Sequence, residues 1–220
     1  MTGSTIQDAI FLGLEVIGTV VFALSGVMAA ARSSMDWLGG MVLGLVVAVG
    51  GGTIRDLVIG ETPVNWVEDP WPLAVAAITA VVLTAFLSWR PITDIDNWGP
   101  VLLLDAVGLA VFVVLGAGVT LRAGVPWYMA ILLGVVTGVG GGVIRDLLTD
   151  QKPAVLVGPI SALAGFAGSA LYVILIELGL FTRFAIWLPI ALVIVLRVLA
   201  IRGNWHLPLL ATSIVPKRQS

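Results

Sequence analysis

The word GGGTIRDL at Gly50–Leu57 returns as GGGVIRDL at Gly140–Leu147, each time at the end of a long apolar run. Three glycines together cost a helix interior roughly 3 kcal/mol relative to alanine. An arginine or aspartate at the centre of a membrane helix costs about 2.5–3.5 kcal/mol more. A chain that carries so costly a word twice points to a buried role for it, and the fold has to be read around that role.

The surrounding composition sets the class. Of 220 residues, 59% are hydrophobic and only 11% charged, whereas soluble domains carry about 25% charged residues. The mean hydropathy is +1.10. Apolar stretches long enough to cross a hydrocarbon core of about 30 Å recur along the chain. They lack the alternation of a barrel strand, so helices are expected, each satisfying its own backbone in lipid. The start MTGSTIQDAIF has no basic region and carries Asp8, unlike a cleaved signal peptide. The absence of cysteine excludes disulfides and thiolate chemistry. No run of Lys or Arg suggests nucleic-acid binding.

Hydropathy and breakers predict seven spans: Asp8–Ala31, Trp37–Ile59, Trp71–Trp89, Pro100–Leu121, Trp127–Leu148, Pro153–Leu178 and Phe184–Ile201. Trp37, Trp71, Trp89, Trp98 and Trp127 fall near predicted ends, and Glu61–Pro70 and Arg90–Pro100 read as loops. Shifted by 90 residues without gaps, the sequence matches itself. Glu15 falls on Asp105, Gly18 on Gly108, Phe22 on Phe112, Gly26 on Gly116, Arg32 on Arg122, Gly44 on Gly134 and Pro63 on Pro153. Each copy holds three spans, an odd number, so the copies (about residues 8–89 and 98–178) should enter the membrane from opposite sides, as inverted repeats. A seventh helix at about 182–201 and a cytoplasmic tail at 202–220 lie outside them. Among loop residues, Arg122 and Arg183 fall on one side. Arg32, Arg90, Lys152, Arg197, Arg202, Lys217 and Arg218 fall on the other. The basic side is cytoplasmic, which places the N-terminus outside and the C-terminus inside.

Two readings of the glycine word compete. A helix broken at Gly50–Gly52 and Gly140–Gly142 would free carbonyls for an ion, tolerable only where backbone is buried or lines water. Alternatively, small residues at every fourth position (Gly40, Gly44, Ala48, Gly52; Ala130, Gly134, Gly138, Gly142) let helix backbones approach. The two are compatible. Arg55 lies roughly 27 Å along its span from Trp37 at 1.5 Å per residue, near enough to the surface to snorkel. The glycines and the adjacent acid argue instead for an interior site. Arg55 and Asp56 project about 100° apart, so each is expected to find its partner elsewhere. The candidates are Arg55 with Asp146 and Arg145 with Asp56, or else Glu15 and Asp105. Thr53, Ser25 and Thr137 are possible path contacts or plain packing hydroxyls.

The paired GGGxxRD words and the acid–xx–Gly–xxx–Phe–xxx–Gly pattern of each first span (Glu15, Gly18, Phe22, Gly26; Asp105, Gly108, Phe112, Gly116), with a 3+3+1 layout, resemble the prokaryotic trimeric intracellular cation (TRIC) channels. The resemblance covers about Glu15 to Pro153. It implies an all-α homotrimer with a pore in each subunit passing monovalent cations, chiefly potassium. It also implies second and fifth spans kinked at their glycine triplets, with Arg55, Asp56, Arg145 and Asp146 at or beside the pore. Two positions depart from the pattern. Glu15 stands where aspartate is expected, and the VLVGPISALAG stretch lacks a tyrosine.

The expected function is therefore a potassium-preferring channel in the cell inner membrane. Its pathway would comprise Gly50, Gly51, Gly52, Thr53, Arg55, Asp56, Gly140, Gly141, Gly142, Arg145 and Asp146, supported by Glu15 and Asp105. No cofactor or resident metal is expected, only a transient K+ or Na+, with membrane lipid as a further ligand. A secondary transporter of a small solute would use the same architecture. An enzyme has little support, because the single histidine, His206, has no nucleophile or metal-spaced partner.

Overall fold

The computed structural model describes residues 2–89, 99–157, 160–180, 183–203 and 205. They form α1 (Thr2–Arg32), α2 (Trp37–Ile59), α3 (Asn65–Glu68), α4 (Trp71–Trp89), α5 (Gly99–Arg122), α6 (Trp127–Leu148), α7 (Ala154–Val157), α8 (Ser161–Glu177) and α9 (Arg183–Arg202). His206, Trp98, the Arg90–Trp98 connection and most of the expected tail lie outside the described residues.

Local chemistry sets the ends. Asp36 caps α2 by accepting a 2.7 Å hydrogen bond from the Gly39 N–H. Gly60 closes the same helix at φ 81°, a left-handed position that suits glycine. The short turns between α1 and α2, and between α5 and α6, make these pairs antiparallel neighbours.

Among the described residues, six helices are long and apolar enough to span a membrane: α1, α2, α4, α5, α6 and α9. The sixth expected span, Pro153–Leu178, is not one helix. It divides into α7 and the 17-residue α8, shorter than the roughly 20 residues a straight crossing takes. Ile160, just ahead of α8, is non-helical at ψ 66°. Likewise, part of the expected Glu61–Pro70 loop forms α3.

The helix α5 is the hub, with 78% of its most apolar window buried. In contrast, α4 lies at the rim and exposes Ile78, Val82, Phe86 and Trp89, an apolar face suited to lipid. The expected break at the glycine words is absent. Both α2 and α6 remain α-helical through Gly50–Gly52 and Gly140–Gly142, so no carbonyls are freed there and no interruption marks a kink.

The glycines instead allow two helices to touch. A Cβ at Gly51 would strike the Thr137 carbonyl, and one at Gly141 would strike the Val47 carbonyl. One at Gly44 would lie 3.2 Å from the Ala23 carbonyl, and one at Gly134 would lie 2.8 Å from that of Val113. Gly18 faces the Phe112 ring while Gly108 faces that of Phe22. Every one of these contacts has a mate 90 residues away. Of the small-residue stripe, Gly44 and Gly134 pack against neighbouring backbone in this way, while Gly52 and Gly142 face the side chains of Arg55 and Asp105, and the α2–α6 contact falls to Gly51 and Gly141 beside it.

Candidate functional site

Each glycine helix ends in a charged cluster, and the two clusters sit at opposite ends of the bundle. The near face holds the start of α1 and the ends of α2 and α5. The far face holds the start of α5, the end of α6, the start of α8 and the end of α9.

At the near face Arg55 is buried, and its Nε and Nη2 donate to Asp56 Oδ1 at 2.8 and 2.6 Å. The other oxygen of Asp56 accepts from the Asn65 N–H at 3.1 Å, tying α2 to the first turn of α3. Thr53 Oγ1 donates to the Val49 carbonyl and accepts from Trp66 Nε1, each at 2.9 Å. Glu15, on α1, accepts a long 3.4 Å contact from Asn65 Nδ2. A cavity of about 300 Å³ opens beside these groups, lined by Asp8, Glu15, Arg55, Glu61, Asn65 and Arg122, with Phe11 and Phe112 as its apolar wall.

At the far face Arg145 is only 1% exposed. It donates to Asp146 Oδ1 (Nε, 2.9 Å), to Ser25 Oγ (Nη1, 2.7 Å) and to Asp105 Oδ1 (Nη1, 3.1 Å). Asp146 Oδ2 accepts from the Ala154 N–H at 2.7 Å, tying α6 to α7 as Asp56 ties α2 to α3. The second oxygen of Asp105 accepts from Arg197 Nη2, on α9, at 3.2 Å. The space here is about 10 Å³, bordered by Asp105, Arg145, Asp146 and Ser161.

Between the clusters lies an apolar plug. The Phe22 and Phe112 rings stand 5.0 Å apart, and Gly51 and Gly140 meet backbone to backbone.

These contacts correct one expectation and support another. Arg55 pairs with its own neighbour Asp56, and Arg145 with Asp146. The exchanged pairs Arg55–Asp146 and Arg145–Asp56 do not form. The 100° between adjacent Cα–Cβ directions did not keep them apart, because the long arginine stem carries its planar fork back to the neighbouring carboxylate. Asp105 does serve as the alternative partner of Arg145, whereas Glu15 is not bonded to Arg55 in the equivalent place. Snorkelling is ruled out for both arginines by their burial. Thr137 Oγ1 donates to the Leu133 carbonyl at 2.6 Å, the packing role, whereas Ser25 joins the far cluster.

Sequence reasoning missed Arg197, which it counted as a loop charge. Its position within the apolar run LPIALVIVLRVLAIR (Leu188–Arg202) carried the same signal that singled out Arg55. Asn65 was hidden in a stretch read as loop.

A family model described as "Glycine transporter" matches residues 12–89 and again residues 102–177. The UPF0126 inner membrane protein YadS of Escherichia coli K12 is 43% identical over 202 residues, spanning 89% of this chain and 93% of its own. The chain belongs to this family. Another relative, the UPF0126 membrane protein YvgT of Bacillus subtilis, is 39% identical over 199 residues, 89% of this chain and 94% of its own.

Among solved structures, the TRIC trimeric intracellular cation channel orthologue from Rhodobacter sphaeroides superposes with a TM-score of 0.82 at 36% identity. It covers 89% of this chain and 98% of its own. A second TRIC cation channel gives 0.78 at 33% identity, covering 92% and 98%. The TRIC resemblance drawn from the paired words holds, and the family protein is a multi-pass helical membrane protein with that fold.

Proposed function

We propose that this protein is a monovalent-cation channel, preferring potassium and also admitting sodium, with a path inside each subunit of a homotrimer. The observation that carries the reading is the pair of acid clusters, half-buried Glu15 with buried Asp56 and buried Asp105 with buried Asp146, set at corresponding positions on either side of the Phe22–Phe112 plug. An intramembrane acid is costly and ordinarily marks a pathway. Two such clusters in line, in the fold shared with TRIC cation channels, place carboxylate oxygens at each end of one route. The mated contacts 90 residues apart support inverted repeats over about 8–89 and 98–178, with α9 outside them.

The glycine triplets serve this path by close packing, bringing α2 and α6 near enough to present Arg55–Asp56 and Arg145–Asp146 to its two ends. The arginines hold the acids in place. Transport needs no bound cofactor, and lipid covers rim helices such as α4. The basic loop residues support a cytoplasmic far face and an external near face in the cell's inner membrane.

The test is reconstitution in planar bilayers with potassium and sodium on opposite sides. Unitary currents reversing toward the potassium potential are expected, and their absence in folded protein would refute the channel.

A second reading is a carrier of a small solute. The family model's description favours it, as does the near cavity, where Glu15 faces Arg55 and Arg122 and so offers both charges to a zwitterion. Saturable glycine uptake without unitary currents would establish that alternative.

A further inference from the structure

Glu15 and Asp105 correspond in the sequence but not in their surroundings. Glu15 touches Asn65 at 3.4 Å and borders about 300 Å³ of open space. Asp105 is held on both oxygens, by Arg145 at 3.1 Å and by Arg197 at 3.2 Å. The space beside it is about 10 Å³, close to one water-sized probe. Part of this difference comes from outside the repeat, because Arg197 belongs to α9, which has no counterpart in either half.

The charge balance follows. Arg145 and Arg197 against Asp105 and Asp146 leave the far cluster neutral, with nothing to attract a mobile cation. Without Arg197 the cluster carries one net negative charge. A ligand for that charge is in place, since Ser161 Oγ is buried, has no hydrogen-bond partner and borders the same space. The helix also has a weak point. Pro189 lies inside α9, ahead of Arg197, and removes one backbone hydrogen bond from the ladder.

We propose that Arg197 is a tethered counter-cation, a gate residue whose guanidinium occupies the Asp105 carboxylate in place of a permeant ion. The far end of the path conducts only when that carboxylate is given up, and Asp105 with Ser161 then offers oxygens to a monovalent cation. This proposal rests on the cation-channel reading above.

The test exploits a chain without cysteine. Ser161→Cys, in proteoliposomes, is treated with a membrane-impermeant methanethiosulfonate reagent, and thallium influx is measured in parallel. With Arg197 present, modification should be slow. Adding Arg197→Gln should speed it about tenfold, within the usual range of coupling between linked groups. Potassium, but not N-methylglucamine, should then slow it again, and thallium influx should rise. Arg197→Lys should restore slow modification.

The charge-neutral pair Asp105→Asn with Arg197→Gln keeps the proposal testable should Arg197→Gln alone fail to fold. That pair should be modified quickly, without protection by potassium. Equal rates with and without Arg197, or quick modification of Arg197→Lys, would overturn the gate while leaving the channel standing. The expected modification pattern without thallium influx in any variant would overturn the channel and leave Arg197 as a latch.

Discussion

Replacing Gly51 by alanine tests whether the glycine words exist for helix contact. Alanine gains about 1 kcal/mol over glycine in a helix interior, so on propensity alone Gly51→Ala would stabilise. The new methyl would strike the Thr137 carbonyl, however, and overpacking costs about 1–3 kcal/mol. The obstacle is backbone on a neighbouring helix rather than a movable side chain, so the upper end applies. About 3 less about 1 leaves a net loss of about 2 kcal/mol, more than tenfold in the folding equilibrium. Gly13, also helical, has nothing within 4 Å of its would-be Cβ. There the propensity gain of up to about 1 kcal/mol stands alone. Reversible unfolding in detergent, followed by circular dichroism, should separate the two variants in opposite directions. If Gly51→Ala proves as stable as Gly13→Ala, α2 and α6 do not meet where the fold requires, and the packing account fails.

Other outcomes follow from the clusters. Arg145→Ala removes the cation partner of buried Asp146 and leaves Asp105 to Arg197 alone, and should cost about 3–5 kcal/mol, measured by the same unfolding assay. Arg55→Ala should cost less, because Arg55 borders the near cavity and its removal would open Asp56 to that space. Phe22→Ala should lose about 3–5 kcal/mol through the cavity it leaves and raise potassium leak through the plug in a liposome flux assay. Glu15→Gln should lower cation influx from the near face, while Asp8→Asn, at an exposed acid, should leave it unchanged.

The repeat, most helix bounds and most residues of both clusters were legible because each leaves a mark in one dimension. Apolar length marks a span, and a charge within that length marks a buried site. The glycine break was misread because a triplet weakens a helix only where nothing supports it. Here each triplet gains a neighbouring backbone, a gain set by the partner helix and invisible in local sequence. The pairing of Arg55 with Asp56 was misread by treating side chains as directions rather than reaches. Arg197 escaped because it was counted with the loop charges that set orientation, although the expected span Phe184–Ile201 already enclosed it, as α9 does.

The two clusters also show how identical words come to do different work. Arg55–Asp56 and Arg145–Asp146 make the same neighbour pair, and each second oxygen takes a backbone N–H from the short helix that follows. What differs is the third party. Asn65 stands before Glu15, whereas Arg145 and Arg197 both hold Asp105. A neutral amide at a long contact leaves a carboxylate accessible, while two guanidiniums close on theirs. In the proposed channel, a path built from two like halves thus acquires direction from one added helix, whose Arg197 is the charge proposed to shut the far end.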